Sequence, residues 1–280
     1  MPPPDIRVAV FDIDGTLALM DKSTGTFTAL PGAIKALAAC RAAGITVVAY
    51  TNGTFFAPTH YYPLLASAGL VLEPGHILTP ATVSAARLKA LGYTRVMVLG
   101  AEGTRVPLRE IGIEIIEPTL DAPPVEAVLL GWTRDFGAEQ LEAVCQAVWN
   151  GATPYAGSVA PYFAAAEGKL LGISGAIAAA LENATDTKVT VFGKPEVAGL
   201  EMVCDLTNCQ IHEVVVIGDD PKLEIRMGRR AGAFTIGVAT GIADADAFAA
   251  ADEDMRADLV LPSLEGFADQ PWFPQKVTTA

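Results

Sequence analysis

The chain has 280 residues, of which 51% are hydrophobic, and a formal net charge of -13. It is long enough for one large domain or two small ones, and its alanine-rich apolar content fits helices packed on a buried sheet. The negative charge disfavours nucleic acid as a partner, because phosphate backbones require clustered lysine and arginine. It does not exclude a small anionic substrate, since the charge within a cleft can differ from the overall balance.

Neither a membrane segment nor a cysteine framework is expected. The longest stretch without a charged side chain, 42–72, contains Asn52, Pro58 and His60 and does not suit a membrane span. The N-terminus has no signal-peptide pattern. The cysteines and histidines are scattered, which argues against a zinc site or disulfides and favours a reducing cytoplasm.

The first predicted strand ends in two acids, within the run VAVFDIDGTL at 8–17. Asp12 and Asp14 are two residues apart, so in an extended chain both side chains point the same way. Two like charges this close require a cation or a proton between them. A calcium loop is a weak alternative, because Thr16 followed by the apolar Leu17 stands where the next ligand would be.

Beyond this strand, helices and strands alternate along the chain, which indicates βαβ units and a parallel sheet. Further strands are predicted at 45–50, 95–99, 113–116, 125–130, 189–192, 213–217, 233–238 and 258–261. Helices are predicted at 31–44, 58–67, 81–91, 104–111 and 138–149. Three more are predicted: one after the strand at 189–192 that ends at about 206, one after the strand at 213–217 that ends at 231, and one after the last strand. The stretch 150–172 is predicted to form strands with loops.

Polar groups suited to phosphate or metal follow four of these strands. They are Asp12 with Asp14, then Thr51, Lys194 and Asp219. In an open parallel sheet the ligand site lies at the carboxyl ends of the strands, so we expect these side chains to converge.

Each of these residue types suits one task in phosphoryl transfer. A carboxylate nucleophile approaches an anionic phosphate only if a divalent cation neutralises the repulsion, and Mg²⁺ takes oxygen ligands. A lysine adds positive charge for phosphate oxygens. A threonine hydroxyl and the main-chain N–H groups after it bind anions, and a second acid transfers the proton.

Four segments in this order resemble the haloacid dehalogenase superfamily of phosphatases: 12–16, 51–53, 193–195 and 218–220. The long insertion between Thr51 and Lys194 resembles the branch that carries a large α/β cap. The resemblance implies a Rossmann-like parallel-sheet core made of 1–79 and 189–280. It also implies that 80–188 form an inserted α/β cap domain that selects the substrate.

The resemblance also implies roles for individual residues. Asp12 would be the nucleophile that forms an aspartyl phosphate, and Asp14 would be the general acid and base. Mg²⁺ would be held by Asp12, by the main-chain oxygen of Asp14 and by Asp219. The phosphate would be bound by Thr51, Asn52, Gly53 and Lys194. Either Asp220 or Glu224 would support this site, through water or by orienting Lys194.

The expected enzyme is a Mg²⁺-dependent phosphatase acting on a small phosphorylated metabolite, with neither nucleic acid nor membrane as a partner. A phosphotransferase or mutase that uses the same intermediate is one alternative, and a non-catalytic phosphate-binding regulator is another. Trp132 and Tyr162 are expected in the core. Trp272 and Phe273 either cover the core or form a homodimer contact.

Overall fold

The computed structural model describes residues 5–21, 24–165 and 168–274. In these residues the strands are β1 Val8–Phe11, β2 Ala18–Asp21, β3 Thr26–Ala29, β4 Thr46–Tyr50, β5 Ile77–Leu78, β6 Arg95–Leu99, β7 Glu114–Ile116, β8 Ala127–Leu130, β9 Thr153–Ala156, β10 Tyr162–Ala165, β11 Gly168–Leu171, β12 Thr190–Val191, β13 Val214–Gly218, β14 Phe234–Val238 and β15 Leu259–Leu261. The helices are α1 Ala33–Ala42, α2 Pro58–Ser67, α3 Pro80–Ala90, α4 Glu102–Glu110, α5 Ala138–Trp149, α6 Ile173–Thr185, α7 Ala198–Thr207, α8 Arg226–Ala231 and α9 Ala245–Ala249.

The chain forms two compact units. Among the described residues, the first unit draws on Met1–Thr51, Tyr62–Leu78 and Leu200–Ala280. The second unit draws on Asn52–Tyr61 and Thr79–Gly199. The use of 80–188 as a substrate-selecting cap stays a prediction.

The first unit is built on a six-stranded sheet with the order β15-β14-β13-β1-β4-β5. All of its neighbouring strands are parallel. The chain passes from β1 to β4 on one side and returns to β13 on the other, so β1 lies at the topological switch point. Every residue of β1 and β13 is buried, which explains their uninterrupted apolar sequences.

The second unit has its own five-stranded parallel sheet, with the order β12-β9-β8-β6-β7. Its core joins β8 to α5 and α6 through Val128, Val144 and Leu181, all fully buried. The predicted parallel α/β class is therefore confirmed, and the described residues form two such sheets. In the described residues, none of the helices combines the length and apolar character that a membrane-spanning helix needs.

Several local expectations differ from the structure. The strand expected at 189–192 was grouped with the catalytic core, but β12 pairs with β9 in the sheet of the second unit. The helix predicted after the last strand is only a short 3₁₀ turn, Phe267–Asp269. Gly266 turns the chain directly before this segment, and Pro271 prevents the helix from continuing after it. The hairpin of β2 and β3, and helices α6 and α9, were not predicted.

Candidate active site

The carboxyl end of β1 carries two acids in different environments. The main-chain N–H of Asp12 donates to the oxygen of Ile217 at 2.9 Å, so strand pairing extends to this residue. The Asp12 side chain is 7% exposed, whereas Asp14 is exposed to solvent. Gly15, directly after Asp14, turns the chain with a φ of 95°, a backbone conformation that favours glycine.

The two strands beside β1 bring further polar groups to the same edge of the sheet. Thr51 follows β4, and its hydroxyl donates to Asp14 Oδ2 at 3.4 Å. Asp219 follows β13, and its Oδ1 accepts from the Thr16 hydroxyl at 3.4 Å. In the first unit the structure therefore brings together Asp12, Asp14, Thr51 and Asp219, which are far apart in the sequence.

Asp219 is enclosed by two glycine-containing loops. It is 2% exposed, and its Oδ2 accepts from the main-chain N–H of Ile242 at 2.7 Å. A Cβ atom on Gly15 would lie 2.4 Å from this oxygen, and one on Gly241 would lie 1.9 Å from it. The Thr240 hydroxyl donates to the oxygen of Gly15 at 2.6 Å and ties the two loops together. A carboxylate buried this deeply requires compensating charge or hydrogen bonds.

The donor atoms at this edge are all oxygens, which suits a hard cation such as Mg²⁺. Within the described residues, no group of three or more histidine, cysteine or acidic side chains is placed to hold a metal ion. The ligand set expected from the sequence does not require such a group, because it combines the carboxylates of Asp12 and Asp219 with the main-chain oxygen of Asp14. The donor set therefore fits Mg²⁺.

Asp220 and Glu224 both bind the main chain of the loop that carries Asp219. Glu224 is 3% exposed, and its Oε2 accepts from the N–H of Asp220 at 3.1 Å. Asp220 Oδ1 accepts from the N–H of Lys222 at 2.7 Å and caps the short π-helical turn Pro221–Ile225. A Cβ on Gly218 would lie 2.2 Å from Glu224 Cγ, so this glycine makes room for the longer acid.

In the second unit, Asn52 pairs with the main chain of Lys194. Its Oδ1 accepts from the Lys194 N–H at 3.2 Å, and its Nδ2 donates to the Lys194 oxygen at 3.3 Å. Both residues are buried, with exposed fractions of 7% and 2%. The Asn52 side chain, predicted to help bind phosphate, therefore also fixes the predicted phosphate-binding lysine.

The backbone next to Lys194 is packed against a second glycine. Gly193 donates its N–H to the oxygen of Gly157 at 2.8 Å, and a Cβ on Gly193 would lie 2.2 Å from that oxygen. Only glycine allows this approach. Gly53, the remaining predicted phosphate-binding residue, is half-buried directly after Asn52.

Aromatic side chains near this loop are less buried than expected. Phe55 is 47% exposed and lies on Trp132, with 3.7 Å between the ring centroids. The guanidinium carbon of Arg134 lies over the Trp132 ring, 5.7 Å from the ring centroid. Trp132 is only half-buried, and Tyr162, at 36% exposure, is not a core residue. Phe55 and Trp132 lie in loops after strands, whereas Tyr162 begins β10.

Trp272 and Phe273 cover the core of the first unit. Both are buried, and both rings pack edge-to-face on Phe267. Of the two roles expected from the sequence, the structure supports core packing.

Comparison with known proteins places this geometry in a family. The family model described as haloacid dehalogenase-like hydrolase matches residues 9–114, and a second, HAD-hydrolase-like model matches residues 191–267. The chain is 30% identical over 250 residues to haloacid dehalogenase-like hydrolase domain-containing protein 2 of Bos taurus, covering 89% of this chain and 88% of that protein. The chain belongs to the haloacid dehalogenase-like hydrolase family.

This hydrolase also resembles proteins that are named phosphatases. It is 27% identical over 221 residues to dihydroxyacetone phosphatase of Corynebacterium glutamicum (strain R), covering 77% of this chain and 76% of that one. A crystal structure of glycerol phosphate phosphatase from Mycobacterium tuberculosis in complex with magnesium superposes with a TM-score of 0.83. It is 23% identical, covers 93% of this chain and 76% of that chain, and shows the shared fold. The predicted family and the predicted enzyme class, a phosphatase, are confirmed.

Sequence reasoning missed the residues after β14 that close on the acidic site. Thr240 and Ile242 donate to Gly15 and Asp219, while Gly241 leaves space for the Asp219 carboxylate. A signal was present, because a threonine and a glycine follow an apolar strand here just as Thr51 precedes Gly53 after β4. Thr16, read only as part of the first motif, is the hydroxyl that donates to Asp219.

Proposed function

We propose that this hydrolase is a Mg²⁺-dependent phosphatase that cleaves a small phosphomonoester through an aspartyl phosphate on Asp12. The observation that carries the proposal is the arrangement at the end of β1. A buried carboxylate and an exposed carboxylate leave the central strand at the switch point of a parallel sheet, and Asp219 and Thr51 follow the two neighbouring strands. Ligands of open α/β sheets bind at this position.

The different exposures of the two acids support different roles for them. An oxygen of buried Asp12 would attack phosphorus while the bond from phosphorus to the leaving oxygen breaks. Asp14, which is exposed and accepts from Thr51, would donate a proton to that leaving oxygen. Water would then attack phosphorus, lose a proton to Asp14 and release Asp12 as a free carboxylate.

The remaining residues would bind and neutralise the phosphate. Mg²⁺, held by Asp12, Asp219 and the main-chain oxygen of Asp14, would offset the repulsion between the carboxylate and the phosphate. Thr51, Gly53 and Lys194 would bind phosphate oxygens, with Lys194 fixed through Asn52. The magnesium and calcium complexes of the glycerol phosphate phosphatase support a divalent cation at this site.

The substrate would be a small phosphorylated metabolite, selected by a cap made from 80–188. All the proposed chemistry comes from residues outside that segment, which is a folded α/β sheet with its own core. A domain that covers the site would exclude water and favour compact substrates over folded phosphoproteins. The cytoplasmic location stays a prediction.

Phosphate release from p-nitrophenyl phosphate tests the proposal. We expect release with Mg²⁺, none after chelation, and almost none from Asp12→Asn, because an amide is a poor nucleophile. The matched control is Asp252→Asn, an exposed residue of the first unit that should retain wild-type activity. Substantial turnover by Asp12→Asn, in a preparation free of deamidated protein, would contradict the role of Asp12.

An acceptor alcohol separates hydrolysis from the phosphotransferase alternative. With glycerol added, a phosphotransferase would form phosphorylated glycerol at the expense of free phosphate. We expect free phosphate to remain the main product, because water is the proposed acceptor.

A further inference from the structure

The second unit contains a cavity of about 380 Å³ at the carboxyl ends of its own strands. In this sheet β6 lies between β7 and β8. The chain leaves β6 for β7 through α4 and then crosses to β8 on the other side, so the switch point lies between β6 and β8. Leu99 and Gly100 at the end of β6, and Thr133 and Asp135 after β8, line the cavity. Its position and its volume are those of ligand sites in α/β folds.

One wall of the cavity is built around a fixed ion pair. The Arg105 side chain is only 14% exposed. Its Nε donates to the oxygen of Gly100 at 2.9 Å, and its Nη2 donates to the oxygen of Val98 at 3.1 Å and to Glu117 Oε2 at 2.9 Å. The guanidinium is therefore committed to protein acceptors, and it pairs with the Glu117 carboxylate, whose side chain is 63% exposed, at the cavity wall.

The charges around the cavity disfavour an anionic ligand. Glu117 balances Arg105, and Asp135 adds a carboxylate whose side chain has no hydrogen-bond or ion-pair partner among the described residues. At the N-terminus of α4, where related folds bind a phosphate, Glu102 adds another negative charge. The main chain of Phe55 also occupies that place, because a Cβ on Gly103 would lie 2.6 Å from its carbonyl oxygen.

The same surroundings suit a neutral ligand that has hydroxyl groups and a flat ring. Glu117 directly follows β7, the strand beside β6. In dinucleotide-binding folds, the acid that binds the ribose lies roughly 20 residues after the glycine-rich turn, and the separation between Gly100 and Glu117 is close to this distance. The ring of Phe136, 38% exposed, lines the cavity and offers a face for stacking. We propose that this cavity binds an unphosphorylated nucleoside, whose ribose hydroxyls donate to Glu117 and Asp135 and whose base packs on Phe136.

Calorimetric titration of the full chain with adenosine tests the proposal, which does not depend on the phosphatase assignment. We expect saturable binding, weaker by roughly tenfold for 2′,3′-dideoxyadenosine, because hydrogen bonds to charged carboxylates are lost. Phe136→Ala should weaken adenosine binding by roughly tenfold through lost stacking, and we expect this variant to fold because the ring is 38% exposed. Asp135→Asn should weaken the preference for adenosine over the dideoxy compound.

Glu110→Gln is the matched control, because it removes an exposed charge from α4 away from the cavity lining and should leave binding unchanged. Amide chemical-shift changes at Gly100, Thr119 and Asp135 on adding adenosine would locate the ligand in the cavity. Equal affinity for the two nucleosides, or wild-type adenosine binding by Phe136→Ala, would overturn the proposal. So would the absence of saturable binding at millimolar adenosine.

Discussion

Replacing Asn52 with alanine should reduce both stability and phosphate affinity. The substitution leaves the buried N–H and oxygen of Lys194 without the side chain that they contact at 3.2 and 3.3 Å. A hydrogen bond contributes roughly 1 kcal/mol net, and a stranded buried group costs about 1 to 3 kcal/mol. Because both distances are at the long end of the usual range, we expect a loss of about 2 to 3 kcal/mol in the free energy of unfolding.

Urea unfolding and steady-state kinetics with p-nitrophenyl phosphate measure the two effects. The KM should rise, because the main chain that carries the proposed phosphate ligand Lys194 is no longer fixed. Asn52→Asp should not restore the wild-type values, since a carboxylate accepts from the Lys194 N–H but repels the Lys194 oxygen. Asn183→Ala, on an exposed position of α6, is the matched control and should stay within about 0.5 kcal/mol of wild type.

Amide hydrogen exchange at Lys194 gives a local readout of the same interaction. Its exchange should accelerate in Asn52→Ala and remain slow in Asn183→Ala. If Asn52→Ala unfolded at the wild-type urea concentration, with unchanged KM and unchanged exchange at Lys194, the paired side chain would contribute neither stability nor positioning.

Three further perturbations test separate parts of the site and the fold. Asp14→Asn should slow both formation and hydrolysis of the phosphoenzyme, which rapid-quench kinetics resolves, and a wild-type rate across the pH range would exclude its acid-base role. Asp219→Ala and Gly241→Ala should both raise the Mg²⁺ concentration needed for half-maximal activity. Gly241→Ala should do so because its Cβ would lie 1.9 Å from Asp219 Oδ2. An unchanged Mg²⁺ titration of either variant would refute this expectation. Hydrogen bonds from the main-chain N–H groups of Thr94 and Arg95 lower the pKa of Glu126 from its ordinary 4.5. The ionised Glu126 carboxylate therefore stabilises the folded protein above pH 4.5, and this contribution is lost as the pH falls through the lowered pKa of the folded state. Glu126→Gln should therefore destabilise the protein at pH 7 and much less at pH 3.5 in urea unfolding, and an equal effect at both would contradict the reasoning.

The sequence by itself determined the features that depend on local patterns. Buried parallel strands require uninterrupted apolar runs, so β1 and β13 were recognisable together with the acids that follow them. The alternation of strands and helices indicated parallel α/β structure, and α2 and α5 were predicted with their observed bounds. The helix α6 was missed because half of its buried stripe consists of small residues, Ser174 and Ala178, which give a weak periodic signal.

Only the tertiary structure decided which distant segments pair. The strand predicted before Lys194 resembles the core strands in sequence, yet β12 is only partly buried and joins β9, because a short apolar run does not specify the identity of its neighbour. The closure of Gly15 and Gly241 around Asp219 depends on a close approach of separate loops, which no local pattern encodes. The pairing of Asn52 with the Lys194 main chain joins two short segments that are distant in the sequence. Its hydrogen bonds form only when the fold has brought these two segments together.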